Sequence, residues 1–367
     1  MTRLLLIFLT AFRVAFVGDP QVDNPVELEY ARKSVYKELQ ERKDLDLVVI
    51  LGDLVNENVS LIAPSEASLD SITMKTGCTW ARVNGNHDGP VPAHGPGSDC
   101  SFTTHGVRFI LMNNVRRLKR GGYEGGFSAK QKTWLDSLMR ATDMNTGIVI
   151  CTHIPISQSK GRDSLSNIIA PHQKVLFVSG HTHCVNRQIL ERGMEEIQAG
   201  ASCGTWWRGR KDNDGIPYAL MNCGAPRGYF TADFKEHRRA CASSSGKGWY
   251  SVDYKCIGRS PEERYSITEK DGRLFINVYG GSREGHVYIR QNGRWTEAPH
   301  CYTTAPEVLD VIEENRHMTQ EHSREYRKAH KDEFIPMRQL PSPHVWVIDK
   351  TSDAPYGIRY QDGRMAF

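Results

Sequence analysis

Short apolar runs recur through the first half of the chain, and each ends in a polar segment that often contains glycine. Each run has four to six residues, many of them β-branched or aromatic, which is typical of a buried strand. The predicted strands are Val14–Val17, Leu47–Leu51, Trp80–Val83, Val107–Met112, Gly147–Cys151 and Lys174–Val178.

Helical periodicity occupies two of the gaps between these strands, Pro25–Arg42 and Ser128–Arg140. Ser128 followed by Gln131 has the form of a capping box at the start of the second helix. The inward positions are Leu28, Val35 and Leu39 in the first helix, and Trp134, Leu135 and Leu138 in the second. Strands alternating with helices predict a layered α/β domain over residues 13–203.

The second half of the chain has a different texture, rich in Gly, Pro and Asn. Short alternating segments replace the helical stripes, and Asn292-Gly293 indicates a hairpin turn. The highly charged segment Pro306–Phe334 predicts one solvated helix, with Val308, Leu309 and Ile312 as its apolar face. Residues 204–367 are therefore predicted to form a smaller β-rich domain with one charged helix. The predicted strands are Arg227–Phe234, Gly248–Tyr254, Leu274–Tyr279, His286–Arg290 and Pro343–Tyr360.

Composition narrows the class of protein. A length of 367 residues favours two domains, and 47 Lys+Arg against 43 Asp+Glu leave a net charge of only +4. This near balance argues against a partner bound by neutralising phosphates, so no nucleic-acid binding is expected. Oligomeric state is left open by the sequence.

The N-terminus and the cysteines leave alternatives open. The apolar run in Met1–Phe12 is too short to span a bilayer, so no integral membrane segment is predicted. It fits a clipped signal peptide or a buried strand equally well. The nine cysteines contain no CxxC pair. They are interpreted as buried thiols, or as disulfides such as Cys241–Cys256 in an oxidising compartment.

Polar side chains follow five of the predicted strands, at the edge where α/β proteins bind ligands. Each motif taken singly is most simply a turn or a helix cap. Turns and caps do not explain five such motifs that follow successive strands, so a functional site is the better interpretation. Oxygen and imidazole donors suit Mn, Fe or Zn, and their number suits two ions that share a carboxylate. The residues are Asp19, Gln21, Asp53, Asn86, His87, Asp88, His153, His181 and His183.

This series resembles the signature of the calcineurin-like metallophosphoesterases. The resemblance implies a four-layer sandwich of two mixed sheets flanked by helices, and two divalent metal ions. It implies His87 as the acid that protonates the leaving group, with Asp88 steadying it. It further implies the ligand sets Asp19, Gln21, Asp53 and His183 for one ion, and Asp53, Asn86, His153 and His181 for the other.

Two positions depart from the family pattern. The first motif commonly has His where this chain has Gln21, a neutral and weaker ligand, and Asn56 stands where an acidic residue is frequent. Stretches after Gly200 resemble the dedicated C-terminal domain of a bacterial branch of the family, which implies an exported enzyme; a cytoplasmic location stays open. Trp206 and Trp207 are candidates for a substrate wall, with packing between the domains as the alternative.

The leading hypothesis is hydrolysis of a phosphomonoester or phosphodiester by metal-bound hydroxide, with His87 as general acid. The alternative is a weakened phosphoesterase scaffold that binds a glycan or protein, for which Gln21 is the support. A nuclease is disfavoured by the charge balance, and a basic groove beside the strand ends would restore it. Substrate selectivity is expected in three loops, Asn58–Thr76, Gly89–Ser101 and Arg116–Gly126.

Overall fold

The computed structural model describes residues 11–90, 97–235, 248–335 and 337–367. Residues 1–10 of the apolar N-terminal run and Cys241 of the suggested disulfide lie outside the described residues. Within those ranges, every helix is too short or too polar to cross a bilayer.

The six strands predicted in the first half of the chain are present, together with five that the patterns did not predict. Its strands are β1 (Phe12–Val17), β2 (Leu47–Ile50), β3 (Thr79–Arg82), β4 (Cys100–Thr104), β5 (Val107–Leu111), β6 (Val115–Arg117), β7 (Tyr123–Gly125), β8 (Gly147–Cys151), β9 (Val175–Ser179), β10 (Val185–Ile189) and β11 (Glu195–Ala199). Its helices are α1 (Pro25–Ala31), α2 (Lys37–Glu41), α3 (Ile62–Thr76), α4 (Ala129–Arg140) and α5 (Arg162–Ile169). A π-helical turn, Arg32–Tyr36, joins α1 to α2, and the predicted capping box begins α4.

The second half supplies eight strands and two helices among the described residues. They are β12 (Gly228–Phe234), β13 (Tyr250–Cys256), β14 (Tyr265–Lys270), β15 (Arg273–Val278), β16 (His286–Gln291), β17 (Arg294–Ala298), α6 (Pro306–Glu321), α7 (Arg324–Ala329), β18 (Val345–Asp349) and β19 (Gly357–Gln361). The predicted hairpin joins β16 to β17, with Asn292 and Gly293 both at positive φ.

Two mixed sheets form the centre of the molecule. The first has the order β13-β12-β1-β2-β3, with β1, β2 and β3 parallel and β12 and β13 antiparallel. The second has the order β10-β11-β9-β8-β5-β4, with antiparallel strands at both edges. Because β12 pairs with β1 along its length, the region beyond residue 204 completes the first sheet.

Alternation along the strands sorts side chains into layers. Val14 and Phe16 face Phe109 and Val149 in a shared core between the sheets. The opposite faces pack against helices, so the order is helix, sheet, sheet, helix, and the predicted four-layer α/β sandwich is confirmed. The outer contacts join Ala15 and Val17 to Leu28 and Leu39, and Ile110 and Ile148 to Leu135 and Leu165. The β-rich remainder forms two three-stranded sheets, β14-β15-β18 and β17-β16-β19.

Two sequence predictions are wrong in detail. The charged segment contains two helices, because His322 leaves the helical conformation and the Ser323 side chain accepts the Tyr326 amide to start a new helix. The predicted loop Asn58–Thr76 is mostly α3. Ser65 and Ser68 occupy buried positions on that helix, so a stripe of large apolar residues does not mark its inner face.

Candidate metal centre

The predicted ligands sit on strained backbone at one edge of the two sheets. Left-handed φ angles are rare for residues other than glycine and cost roughly 1–3 kcal/mol each, so they cluster where function requires them. The loops after β1, β2 and β9 concentrate this strain. The residues are Asp19 (φ 46°), Gln21 (43°), Asp53 (48°), His181 (70°) and His183 (46°).

One half of the candidate centre is a tight group of four donors. The Nε2 atom of His153 lies 2.9 Å from Asn86 Oδ1, 3.3 Å from Asp53 Oδ2 and 3.2 Å from His181 Nδ1. Metal–ligand bonds of about 2.0–2.2 Å place neighbouring ligands of one ion roughly 3–3.5 Å apart. The spacing of these donors therefore fits a single divalent ion.

Backbone contacts orient the rings. His153 Nδ1 lies 2.7 Å from the Leu51 carbonyl, to which it donates, so Nε2 is left free to bind a metal. The His181 amide donates to the Asp19 carboxylate at 2.9 Å, which ties the loop after β9 to the loop after β1.

The other half of the centre contains Asp19, His183 and Gln21. His183 Nε2 lies 3.5 Å from Asp19 Oδ1, while its Nδ1 donates to the Gly204 carbonyl. Gln21 is buried, and its amide nitrogen donates to Asn56 Oδ1 at 3.3 Å. Its Oε1 has no hydrogen-bond partner among the described residues. A buried acceptor without a partner is costly, and a cation is the partner that this atom would suit.

The charges of the site are strongly coupled. Burial would raise the pKa of Asp53, but the charge of His153 outweighs it and lowers that pKa to about 2. Burial would likewise lower the pKa of His153, yet Asp53 and Asp19 raise it to about 9. His181 is desolvated beside His153, and its pKa falls to about 4. The carboxylates thus create a potential that favours positive charge.

Glycines in the motifs allow this close approach. A Cβ atom on Gly85 would lie 2.1 Å from the Asp53 amide, and one on Gly180 would lie 2.4 Å from Asp19 Oδ2. A Cβ on Gly52 would lie 2.5 Å from the His153 ring. Each position therefore excludes any side chain, whatever its φ angle.

His87 is held beside Asp53, since its backbone amide donates to Asp53 Oδ1 at 2.8 Å. The support predicted for its ring has a different geometry. Both oxygens of Asp88 accept backbone amides, from Gly85 at 2.7 Å and Val55 at 3.1 Å. The carboxylate that meets the His87 ring is Glu57, at 3.5 Å from Nδ1. Asp88 therefore fixes the two loops to each other.

The two tryptophans have different environments. Trp207 is 2% exposed and its indole nitrogen donates to the Pro20 carbonyl at 2.9 Å, so it packs in the core and cannot form a substrate wall. Trp206 is 40% exposed, and its ring centroid lies 5.2 Å from that of His183. Trp206 alone retains a position from which it could contact a substrate.

The segment predicted as the loop Arg116–Gly126 forms a hairpin, β6–β7, that lies against the centre. The Tyr123 ring meets His181 edge-on, with centroids 5.7 Å apart, and the Arg117 guanidinium donates to the Asn86 carbonyl. The sequence does contain a signal, because four of the six residues from 115 to 120 are basic: Arg116, Arg117, Lys119 and Arg120. The low net charge of the whole chain gives no indication of this local cluster.

Comparisons with solved structures return phosphatases and related folds. A dimetal phosphatase from Danio rerio aligns with 14% identity and a TM-score of 0.41, over 74% of this chain and 96% of that one. Purple acid phosphatase PPD1 from yellow lupin seeds aligns with 12% identity and a TM-score of 0.42, over 78% and 53%. GAP50, the anchor in the inner membrane complex of Plasmodium, aligns with 15% identity and a TM-score of 0.39, over 69% and 86%.

Two family models match the sequence itself, whereas no curated protein does. A model of the calcineurin-like phosphoesterases matches residues 12–185. A second model, of the C-terminal region of calcineurin-like phosphoesterase, matches residues 196–359. Together they span nearly all of the described chain, which belongs to the calcineurin-like phosphoesterases.

Proposed function

We propose that this protein hydrolyses a phosphomonoester or phosphodiester at a centre of two divalent ions. The observation that carries the proposal is the convergence of Asp53, His153 and His181, whose donor atoms lie within 4.8 Å of one another. Family membership supports the reaction class, and the orphaned Gln21 Oε1 supports a second ion.

We assign the residues of the site to two roles, metal binding and proton donation. Asp19, Gln21, Asp53 and His183 would hold one ion, and Asp53, Asn86, His153 and His181 the other. When bound, such a pair supplies Lewis acidity and a water nucleophile at neutral pH, and Mn, Fe and Zn suit these donors. His87 would deliver a proton to the departing oxygen, since the hydrogen bond from its backbone amide to Asp53 Oδ1 keeps it beside the proposed centre.

A binding scaffold without activity is less well supported. Its basis in the sequence was the neutral ligand Gln21. In the structure the Gln21 amide is buried and oriented by Asn56, with its oxygen left free for a cation. A buried, oriented amide with an unpartnered oxygen is expected of a working metal ligand and not of a ligand position that has lost its function.

The test is hydrolysis of an aryl phosphate with added Mn. We expect activity that is lost on chelation and restored by Mn, and about two metal equivalents per chain by elemental analysis. His87→Ala should lower turnover by roughly 10²–10⁴-fold, the usual contribution of a general acid. It should leave the metal content intact, because His87 is not among the proposed ligands.

His317→Ala is the matched control, since His317 is exposed on α6 and pairs there with Glu313. It should have the activity of the wild type. A His87→Ala protein as active as this control would contradict the assigned acid. A chain that binds no metal at any supply would contradict the proposal as a whole.

A further inference from the structure

The basic hairpin, residues 115–125, lies on the rim of the candidate metal centre. Tyr123 fixes one strand against the His181 ring, and Arg117 fixes the other by donating to the Asn86 carbonyl. Both partners are proposed metal ligands. The hairpin is therefore held directly beside the proposed metal centre.

Positive charge on this hairpin is largely unneutralised. Its single acidic residue, Glu124, is already paired with Lys160 at 2.6 Å and with Arg116 at 3.8 Å. Among the ion pairs of the described ranges, none involves Arg117, Lys119 or Arg120. All three residues are exposed. Three cationic side chains without an ion pair, beside a proposed anion-binding centre, favour a ligand with additional negative charge.

The position of Arg117 indicates which part of the substrate carries that charge. Its anchor, Asn86, directly precedes His87, the proposed acid for the leaving group. Arg117 also lines a cleft of about 380 Å³ together with Asn84, Gly85 and Gly89 from the same loop. The basic hairpin thus lies beside the loop that carries the proposed acid.

We propose that the basic hairpin binds a second phosphate on the leaving group, so that the substrates are small molecules with at least two phosphates. This inference rests on the proposed function of the metal centre. A nucleic acid fits less well, because it would need phosphate contacts along an extended basic surface. The three basic residues without an ion pair come from one short hairpin on a chain of net charge +4.

A matched pair of ligands isolates the second phosphate. Glucose 1-phosphate and glucose 1,6-bisphosphate share the ester next to the ring and differ only in the extra group. Measured as competitive inhibitors of aryl phosphate hydrolysis, the bisphosphate should bind about tenfold more tightly, the order expected from two or three exposed charge pairs. Added salt should reduce this ratio by screening.

Lys119→Ser/Arg120→Ser should reduce the ratio to about threefold or less, because the remaining contact is Arg117. The control is Arg324→Ser/Lys328→Ser, which removes two exposed charges from α7 and should keep the wild-type ratio. The ratio is read within each variant, so a general loss of activity does not affect it. An equal ratio in the hairpin variant and the control would overturn the inference.

Calorimetry of the same two sugar phosphates with the Mn-loaded protein separates the two proposals. A retained affinity ratio without hydrolysis would overturn the proposed function and leave the hairpin site standing. Normal hydrolysis with equal affinities would overturn the hairpin site alone. A single-stranded oligonucleotide that binds more tightly than the bisphosphate, and loses that affinity in the hairpin variant, would replace the small-molecule assignment.

Discussion

Asn56→Ala should weaken binding of the metal ion that Gln21 is proposed to hold, although the substitution changes no ligand atom. Asn56 Oδ1 accepts the Gln21 amide at 3.3 Å, and this contact decides which end of the amide faces the site. With the acceptor removed, the Gln21 side chain can rotate and present its nitrogen, which cannot bind a cation. Gln21 Oε1 would then no longer be fixed in the direction of the proposed ion.

The magnitude follows from the contact. A neutral hydrogen bond contributes about 0.5–1.5 kcal/mol, and 3.3 Å is at the long end of the range. We therefore expect affinity for one ion to fall roughly 3–10-fold, below the roughly 10–100-fold usual for a contact that orients a metal ligand. The second ion should be unaffected, because His153 takes its orientation from the Leu51 carbonyl.

Competition of Mn against a chelating dye resolves the two affinities. Asn56→Asp retains the acceptor and should bind metal at least as well as the wild type. In a Gln21→Ala background, Asn56→Ala should have less than about a twofold further effect, since the residue it orients is gone. Equal weakening by Asn56→Ala in both backgrounds would refute the reasoning, as would wild-type affinity in the single variant.

Two further predictions concern a glycine that packs against Asp53 and a buried ion pair between Arg187 on β10 and Asp362 after β19. Gly85→Ala should lower the free energy of unfolding by about 3 kcal/mol or more and reduce metal content, because the new Cβ would lie 2.1 Å from the Asp53 backbone. Gly126→Ala is its control in thermal unfolding, since the nearest atom, 3.0 Å away, is a movable Arg116 side chain. Asp362 is buried, which would raise its pKa, but the Arg187 guanidinium outweighs this and lowers it. That pair should stabilise the fold fully above the ordinary carboxyl pKa of about 3.9 and less as the pH falls below it. In urea unfolding across pH, Asp362→Asn should cost about 3–5 kcal/mol at pH 7 and lose less stability than the wild type on acidification. Parallel pH profiles for the two proteins would contradict this assignment.

The sequence predicts the central strands and their chemistry because both depend on local patterns. β2 reads as a continuous apolar run since both of its faces are buried, one against the second sheet and one against helices. Parallel strands end at the same edge, so the residues that follow β1 and β2 meet there without any further information. The positions of Asp19 and Asp53 follow from that rule.

Pairings between strands that are far apart in the sequence cannot be predicted from such local patterns. β12 pairs with β1 although about 200 residues separate them, and the Gly- and Pro-rich sequence before β12 looks like the start of a new domain. Its central position is reflected in burial on both faces at nearly every residue of β12. That burial is a property of the assembled sheets and cannot be read from seven residues.

The same distinction explains the roles within the loop after β3. The family resemblance implied that Asp88 steadies its neighbour His87. The backbone turns so that Asp88 instead meets amides of Gly85 and Val55, while Glu57 from the loop after β2 reaches the His87 ring. Gln21 likewise depends on Asn56, so the two departures from the family pattern are in contact. A neutral amide ligand needs such an acceptor to fix which of its two ends faces a cation, so Asn56 determines whether Gln21 presents its oxygen or its nitrogen.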